Sequence, residues 1–433
     1  MDKATRTAIT DWLLEHGLAG AAETELLRGF CERCQAAGID LHRGVVFMDT
    51  LHPILEGRGW RWGGDGNSGA AMFEYPRHTS PDDDHRWRLS PFYRLLENGD
   101  TLLHLNLEGG GPFDYPVVQD LAAEGCTGYM AAIHRFERGK AIGPVDCTYS
   151  SWSTRRPGGF SDDDLDDMRS LLPAFLLAIK TATMTEVART LAHVYLGRDA
   201  GERVLGGRIT RGVAERINAV LWYSDLRSST SISDTAAPEE IIPFLNDYAA
   251  AAIDAIHGEG GDVLKLMGDG ILAIFGGART PVAGRAALRA ERRFRENIRR
   301  LDVERAALER PTTSAYVGLH CGEVFYGNIG SNERLDFTVV GPAVNEVSRI
   351  ASMCRAVDRD LLVSAALIEA LGPVEQEHFV STGRFALRGV GRAQTLYTLD
   401  PAVSTDSAHA VRYAHCLDGA PAGRKAGLDN ASP

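Results

Sequence analysis

The chain has 433 residues, of which 44% are hydrophobic and 24% charged, which is the composition of a globular protein rather than a disordered one. Its length exceeds the size at which one hydrophobic core keeps growing, so we expect two or three domains of roughly 100–200 residues each. The formal net charge of −12 argues against nonspecific binding to nucleic acid or to an anionic membrane surface, because those partners require a broad basic surface.

The apolar stretches and the cysteines of the sequence indicate in which cellular compartment the protein is expected. The longest uninterrupted apolar stretch, Leu171–Ile179, is far shorter than the roughly 20 residues of a spanning helix, so we expect no membrane span. The first residues mix charges without the apolar core of a signal peptide, which favours a cytoplasmic location. The seven cysteines are scattered, unlike a disulfide framework. Cys31 and Cys34 form a C-x-x-C on a predicted amphipathic helix, Thr24–Ala37, where we favour buried structural thiols over a metal or redox pair.

Residues 1–182 have the pattern of an α+β domain, because β-rich runs at 44–48, 101–107 and 127–134 alternate with loops rich in Gly, Pro and Asp. The last element begins at Ser161 with three aspartates in the first turn of a predicted helix. Its apolar residues recur at near-heptad spacing as far as Val194, across Pro173. This stripe fits pairing with a second subunit or packing on its own domain, and the sequence leaves both open.

Three further segments follow. Residues 183–212 are predicted to be a helical linker ending in a hinge rich in Gly and Arg. Residues 213–400 alternate strands and helices, which indicates mixed helices and strands around a central sheet. Residues 401–433 are rich in Ala, Gly, Ser and Asp, and we expect a disordered tail.

Two aspartates carry the first chemical signal. Asp225 follows an apolar strand and precedes a polar turn, Leu-Arg-Ser-Ser-Thr, while Asp269 lies in a Gly-Asp-Gly turn between two predicted strands. Carboxylates at adjacent strand ends can hold Mg²⁺, which binds one or two carboxylates and otherwise water and substrate phosphate. Taken alone, an Asp between two glycines is more often a simple turn former.

Four motifs together are more specific. They read VLWYSDLRSST (220–230), GGDVLKLMGDGILAIF (260–275), GLHCGEVFYGNIG (318–330) and FTVVGPAVNEVSR (337–349). In order and spacing they resemble the class III nucleotidyl cyclases, over about residues 213–400. The resemblance implies an α+β chain with a C-terminal cyclase domain built on a ferredoxin-like βαββαβ core. It also implies conversion of ATP to 3′,5′-cyclic AMP and pyrophosphate.

The resemblance also assigns site residues. It places two Mg²⁺ or Mn²⁺ ions in each site, bound by Asp225, Leu226 and Asp269. Two metals can lower the pKa of the attacking 3′-hydroxyl and neutralise the departing pyrophosphate. The residues expected around the triphosphate are Leu226, Ser228, Ser229, Thr230 and Arg388, the last in a position usually held by Lys. In the family pattern Asn345 orients the ribose and Arg349 stabilises charge on the α-phosphate.

Base choice rests on Lys265 and Thr338, which match the family's purine-reading positions. A Lys ammonium only donates, which suits the acceptor N1 of adenine and disfavours the N1–H of guanine, so ATP is favoured over GTP. Lys with Thr is the pair of a bacterial subgroup that includes bicarbonate-responsive cyclases. The resemblance further implies a homodimer whose composite sites take the metal carboxylates from one chain and the purine and ribose residues from the other. Lys265 and Asp269 would then serve different sites.

The N-terminal zone resembles a GAF-like sensor, chiefly through the run Gly-Gly-Phe-Ser-Asp at 158–162 and the apolar residues after it. This implies an unidentified small-molecule signal. Candidate pocket residues are His42, His52, Trp60, Trp62 and Cys147, although we favour core packing or surface scatter as the explanation for them.

Other functions remain as alternatives. A guanylate cyclase would share the site, whereas a diguanylate cyclase fits less well because Val-Leu follows Gly-Gly-Asp262 in place of Glu-Phe. A catalytically dead signalling scaffold would require a lost metal or transition-state residue. Asp225, Asp269, Asn345 and Arg349 are all present, which disfavours that function.

Overall fold

A computed structural model of the chain describes residues 1–64, 69–77, 81–110, 113–136, 141–277, 279–405 and 407–418. The chain divides into two compact units, Met1–Leu191 and Ala192–Pro433. Helices and strands mix in both of them.

The elements of the first unit alternate short helices with strands. In chain order they are α1 (Lys3–Leu18), α2 (Glu23–Ala36), β1 (Arg43–Asp49), β2 (Leu55–Gly63), β3 (Ala70–Pro76), α3 (Pro81–Arg88), α4 (Pro91–Asn98), β4 (Leu102–Asn106), α5 (Pro116–Ala123), β5 (Gly128–Arg135), β6 (Cys147–Thr154) and α6 (Asp162–Leu196). The predicted β-rich runs correspond to β1, β4 and β5, which confirms them.

The strands of this unit form one antiparallel sheet in the order β3-β2-β1-β6-β5-β4. Because side chains alternate along a strand, the sheet has two separate cores. Val46 of β1 packs in the core under α1, α2 and α6, while its neighbour Phe47 packs with α4 and α5 on the other face. Cys31 and Cys34 are fully buried on α2, and burial raises the pKa of Cys34 to about 12. These thiols are structural, as predicted.

The candidate sensor residues do not form one pocket. Trp60 and Trp62 are buried in the core under α1, α2 and α6, whereas Cys147 is buried on the opposite face of the sheet. His52 Nδ1 lies 3.3 Å from the backbone nitrogens of Ile54 and Leu55, so it holds a local turn. Core packing therefore accounts for the two tryptophans and the cysteine.

Helix α6 bears on the expected absence of a membrane span. By length and composition it is the one helix of the described residues that could cross a bilayer, and 44% of its most apolar 18-residue window is buried inside the protein. Counting uninterrupted apolar residues missed this helix, because threonines and Lys180 interrupt the run. The absence of a span stays a prediction.

The second unit contains the larger sheet. Its elements are α7 (Arg198–Leu205), β7 (Ala214–Leu226), α8 (Ser229–Thr235), α9 (Pro238–Gly258), β8 (Asp262–Met267), β9 (Gly270–Phe275), α10 (Thr280–Ala307), β10 (Ala315–Gly330), β11 (Leu335–Val340), α11 (Pro342–Val357), β12 (Leu361–Ser364), α12 (Ala365–Ala370), α13 (Pro373–Gln376), β13 (Phe379–Phe385), β14 (Gln394–Leu399), α14 (Pro401–Thr405) and α15 (Ser407–Leu417).

The sheet order is β13-β14-β12-β10-β7-β9-β8, and β11 pairs with the end of β10. The chain order β7, α9, β8, β9, α10, β10 is the predicted βαββαβ core, with the strands side by side as β10-β7-β9-β8. Helices α9 and α10 bury apolar residues against one face of this sheet. Helix α11 packs Ala343 and Val347 against the other face.

Two predictions about connecting segments are wrong in part. Helices α14 and α15 occupy part of the expected disordered tail, and Tyr413 and Leu417 are buried in the core with α9 and α10. Arg289 Nη1 also donates to the Leu417 carbonyl at 2.8 Å. The prediction of disorder was based on the composition of the tail and did not take into account the helical spacing of its apolar residues. The rest of the tail, 419–433, lies outside the described residues. In the expected hinge, α6 continues to Leu196, and after a single Gly197 the helix α7 occupies residues 198–205.

Candidate active site

Asp225 and Asp269 are brought together by strand register. Ser224 of β7 pairs with Ile271 of β9, which places Asp225 opposite Gly270 and beside Asp269 in the β8–β9 turn. Gly268 adopts a left-handed φ of +66°, as the tight hairpin turn requires. Burial, followed by the neighbouring carboxyl of Asp269, raises the pKa of Asp225 to about 6. The two carboxyls therefore disfavour each other's charge.

The turn after β7 approaches the same carboxylates. Ser228 has a left-handed φ of +57°, an uncommon conformation for a residue with a side chain, and it redirects the chain into α8. The buried Ser229 hydroxyl donates to Asp269. The first backbone hydrogen bond of α8 runs from Ile232 N–H to the Ser228 carbonyl, so the N–H groups before Ile232 lack helical partners. A cavity of about 180 Å³ borders this region, lined in part by Leu226, Asp269 and apolar residues of α9.

Lys265 and Thr338 lie on adjacent parts of the unit. The Lys265 ammonium, about half exposed on β8, forms an ion pair with Asp336 of β11. Asp336 and Thr338 are two residues apart on that strand and share a face. Sequence reasoning missed Asp336, and its position two residues before Thr338 was the available signal.

Asn345 and Arg349 lie four residues apart on α11, so they share one side of the helix. Burial, together with Asp225 and Asp269, raises the pKa of Tyr223 on β7, and Arg349 is close enough to oppose that rise. Tyr223 thus lies within the electrostatic reach of both the carboxylate pair and Arg349. Among the described residues, no hydrogen bond joins the side chain of Asn345 or Arg349 to either aspartate.

Arg388 lies away from the carboxylate pair of its own chain. It is exposed in a turn closed by Val390 N–H donating to the Leu387 carbonyl at 3.0 Å. This turn follows β13 at one edge of the sheet, whereas the Asp269 turn follows β8 at the other edge. One chain by itself does not bring all the predicted site residues together.

The aspartate pair suits a divalent metal ion. Within the described ranges no group of three or more His, Cys, Asp or Glu side chains could hold a metal, so protein donors here amount to two carboxylates and nearby backbone oxygens. Mg²⁺ typically accepts such a sparse set, because it keeps waters and binds substrate phosphates. Burial and then the nearby Asp269 carboxyl raise the pKa of Asp225, and a bound cation would offset both effects by stabilising the ionised form.

Comparisons with known proteins agree with this geometry. Residues 213–400 match the family model of the adenylate and guanylate cyclase catalytic domain. An adenylate cyclase of Anabaena cylindrica is 30% identical over 193 residues, which is 45% of this chain and 37% of that protein. The chain thus matches little more than a third of that relative's length.

Solved structures of cyclases are also similar to this chain. The guanylyl cyclase Cya2 is 28% identical, with a TM-score of 0.39, over 43% of this chain and 93% of that one. The adenylyl cyclase CyaB from P. aeruginosa is 22% identical, with a TM-score of 0.40, over 43% and 96%. The family match covers the strand that carries Asp225, the turn that carries Asp269 and the helix α11 that carries Asn345 and Arg349. By this match, residues 213–400 are similar to the adenylate and guanylate cyclase catalytic domain.

Proposed function

We propose that this protein is an adenylate cyclase that converts ATP to 3′,5′-cyclic AMP and pyrophosphate. The ribose 3′-oxygen forms a bond to the α-phosphorus, the bond from that phosphorus to the β-phosphate bridging oxygen breaks, and the 3′-hydroxyl proton leaves. The observation that carries the proposal is the juxtaposition of Asp225 and Asp269 beside the Ser228–Thr230 turn.

In this proposal Asp225, Asp269 and the main chain of Leu226 hold two Mg²⁺ or Mn²⁺ ions. Bound divalent ions would lower the pKa of the 3′-hydroxyl and offset charge on the departing pyrophosphate. Ser229 fixes the orientation of Asp269 through its hydrogen bond. In this proposal, backbone N–H groups of the Ser228–Thr230 turn, which have no helical partners, donate to phosphate oxygens.

Helix α11 supplies the groups for the transition state. Asn345 orients the ribose, and Arg349 stabilises the charge that develops on the α-phosphate. Positioned charge of this kind commonly accounts for a factor of about 10²–10³ in rate per group. Arg388 would bind the terminal phosphates as a planar, permanently charged donor.

Lys265 supports adenine as the base. Its ion pair with Asp336 holds the ammonium at an exposed position from which it can donate to adenine N1. Thr338, on the same face of β11, can donate to or accept from the base edge. GTP is the competing substrate. It is disfavoured because guanine presents a donor at N1, where Lys265 also donates.

We further propose a homodimer with composite sites. The carboxylate pair and Arg388 lie at opposite edges of the sheet, so a second chain can complete each site. Exposed apolar side chains cluster on β8, β10 and β11, beside Lys265 and Thr338, and such a patch suits an interface. Its members are Leu266, Met267, Phe325, Ile329, Leu335 and Val340.

The N-terminal unit is proposed to be a GAF-like sensor for a small-molecule signal, coupled to the cyclase through α6 and the segment after it. Within the second unit, Arg198 of α7 donates to the Gly261 carbonyl at 3.3 Å, and its Nε lies 3.9 Å from Asp262. Strand β8 begins at Asp262 and carries Lys265. A movement of α7 would therefore displace β8 and with it Lys265, the proposed purine-reading residue.

The test is a cyclase assay of the purified full chain with ATP or GTP, each with Mg²⁺ or Mn²⁺. We expect cyclic AMP to form faster than cyclic GMP at matched substrate, and no product from an Asp269→Asn control. Faster formation of cyclic GMP would overturn the adenine assignment. Equal rates for wild type and Asp269→Asn would overturn the metal role.

A further inference from the structure

His320 is a buried polar residue of the second unit to which the proposed reaction assigns no part. It lies on β10 at the point where β12 turns into α12, and its side chain is 7% exposed. Its Nδ1 lies 2.8 Å from Ser364 Oγ, and its Nε2 lies 3.4 Å from Glu346 Oε2 on α11. The ring therefore spans the space between the sheet and the helix that carries Asn345 and Arg349.

The groups that face the ring favour one tautomer: Ser364 Oγ is hydrogen-bonded to Nδ1, and the Glu346 carboxylate lies within ion-pair distance of Nε2. Ser364 Oγ accepts the N–H of Leu367 at the start of α12, so its own hydrogen is available to Nδ1. The Glu346 carboxylate accepts, which places the ring proton on Nε2. Burial lowers the pKa of His320, with Glu346 acting in the opposite direction, and the neutral ring satisfies both neighbours.

Within the described part of the chain, the polar contacts that tie the beginning of α11 to the sheet are those of Glu346. Gly341 precedes the helix without a side-chain cap, and Pro342 has no N–H to donate. The helix otherwise packs through apolar side chains, whose attraction to the sheet has no direction and leaves rotation about the axis loosely defined. Glu346, held by His320 on β10 and by Gln394 Nε2 on β14, is fixed from two strands at once.

We propose that His320 is a positioning residue: through Glu346 it sets the rotation of α11 and hence the placement of Asn345 and Arg349. The inference rests on the proposed function, in which those two residues contact the ribose and the α-phosphate. Glu346 is adjacent to Asn345 in the chain, so a displacement of Glu346 moves the backbone of Asn345 directly. A rotation of about 10° moves a side-chain end ~6 Å from the axis by ~1 Å, and a misplacement of that size can cost about 100-fold in rate.

Two variants separate this role from simple core packing. In His320→Gln, the amide nitrogen reaches roughly the place of Nε2 and can still donate to Glu346. In His320→Asn, the shorter side chain reaches Ser364 and not Glu346. Both change the same buried site, so each serves as the control for the other, and thermal unfolding of the full chain verifies that both fold.

For the full chain with ATP and Mn²⁺, we expect His320→Asn to lower kcat at least tenfold with KM changed less than threefold, because Asn345 and Arg349 act in the transition state. His320→Gln should retain kcat within threefold of wild type. On an Asn345→Ala background, His320→Asn should cost much less than on wild type, since residues that act through one another are not additive.

Amide hydrogen exchange supplies a readout that needs no activity. Residues 342–357 should exchange faster in His320→Asn than in His320→Gln or wild type. Equal kcat in the two variants, or unchanged exchange of α11 in His320→Asn, would overturn the positioning role. A wild-type chain that makes no cyclic nucleotide would instead overturn the proposed function. The comparison of amide exchange would still test whether His320 holds α11 in place.

Discussion

Asp225 and Asp269, far apart in the chain, lie beside each other at the end of β7 and in the β8–β9 turn, where burial and the charge of Asp269 raise the pKa of Asp225 to about 6. The arrangement is unfavourable for two ionised carboxylates and favourable for a bound cation. Repulsion between like charges of this kind lowers local stability without a ligand, and it is common at sites that bind metal and phosphate.

Neutralising Asp225 should therefore separate activity from stability. We expect Asp225→Asn to lower cyclase activity at least 100-fold, because a metal ligand is lost. Its Tm at pH 8 without metal should equal or exceed that of wild type, because the folded pKa of Asp225 lies above its ordinary 3.8 and ionisation disfavours the fold as pH rises through 6.

Thermal unfolding with and without Mn²⁺ checks this prediction. Mn²⁺ should raise the Tm of wild type and leave that of Asp225→Asn nearly unchanged. Asp234→Asn, an exposed change on α8, is the matched control and should behave as wild type. An Asp225→Asn chain with near-wild-type turnover would contradict the metal assignment.

The purine preference should depend on the charge of Lys265. Lys265→Met removes the donor to adenine N1 and leaves Asp336 without its ion pair. We expect the ratio of kcat/KM for ATP over GTP to fall at least tenfold, whereas Lys180→Met in the first unit should leave it unchanged. If the ratio does not change in Lys265→Met, another residue reads the base.

Gly197 provides a test of coupling between α6 and the cyclase. Gly197 and Gly207 share a φ of +87°, but a Cβ at Gly197 would lie 2.6 Å from the Val263 carbonyl of β8, whereas a Cβ at Gly207 would meet nothing within 4 Å. Gly197→Ala should therefore displace β8 and change KM for ATP several-fold, while Gly207→Ala adds only the backbone strain of about 1 kcal/mol. Equal KM values in the two variants would contradict the coupling through α7.

Asp49 in the first unit predicts a pH dependence of stability. Burial, Glu56 and Asp146 raise its pKa to about 7, against an opposing effect of Arg77. The folded state thus binds a proton more tightly than the unfolded state, so unfolding free energy falls as pH rises from about 4 to 7. The loss is at most about 4 kcal/mol. The unfolding free energy of Asp49→Asn, measured by denaturant unfolding of the full chain, should rise relative to that of wild type between pH 5 and pH 8. If the difference between the two chains is the same at both pH values, the prediction is wrong.

The sequence predicted the features that depend on local pattern. The Gly-Asp-Gly hairpin, the strand ending near Asp225 and the helix that opens at Pro342 each follow from residues adjacent in the chain, and the structure confirms them. The βαββαβ order also came from the resemblance in those motifs. The sequence predicts a strand at Ala315–His320, whereas β10 continues without interruption to Gly330.

Features that depend on distant pairing were missed. The ion pair of Lys265 with Asp336 and the contact of His320 with Glu346 arise from the way β8, β10, β11 and α11 meet, which no local spacing encodes. The helices after Asp400 were hidden because small residues dominate their composition, while Tyr413 and Leu417 pack against a core formed elsewhere in the chain.

The composite site is the part of the proposal that involves two chains, and mixing two inactive variants measures it directly. Each symmetric site should take Asp225 from one chain and Asn345 from the other. Homodimers of Asp225→Ala and of Asn345→Ala should both be nearly inactive, since every site carries a lesion. In a mixed dimer, one site collects both lesions and the other is intact.

The decisive measurement is cyclic AMP formation after the two variants exchange subunits, with exchange verified by different affinity tags. Random exchange makes about half of the dimers mixed, each with one intact site of two, so activity should return to roughly a quarter of wild type. Recovery near zero despite verified exchange would mean that both residues act within one chain, which would contradict the composite active site.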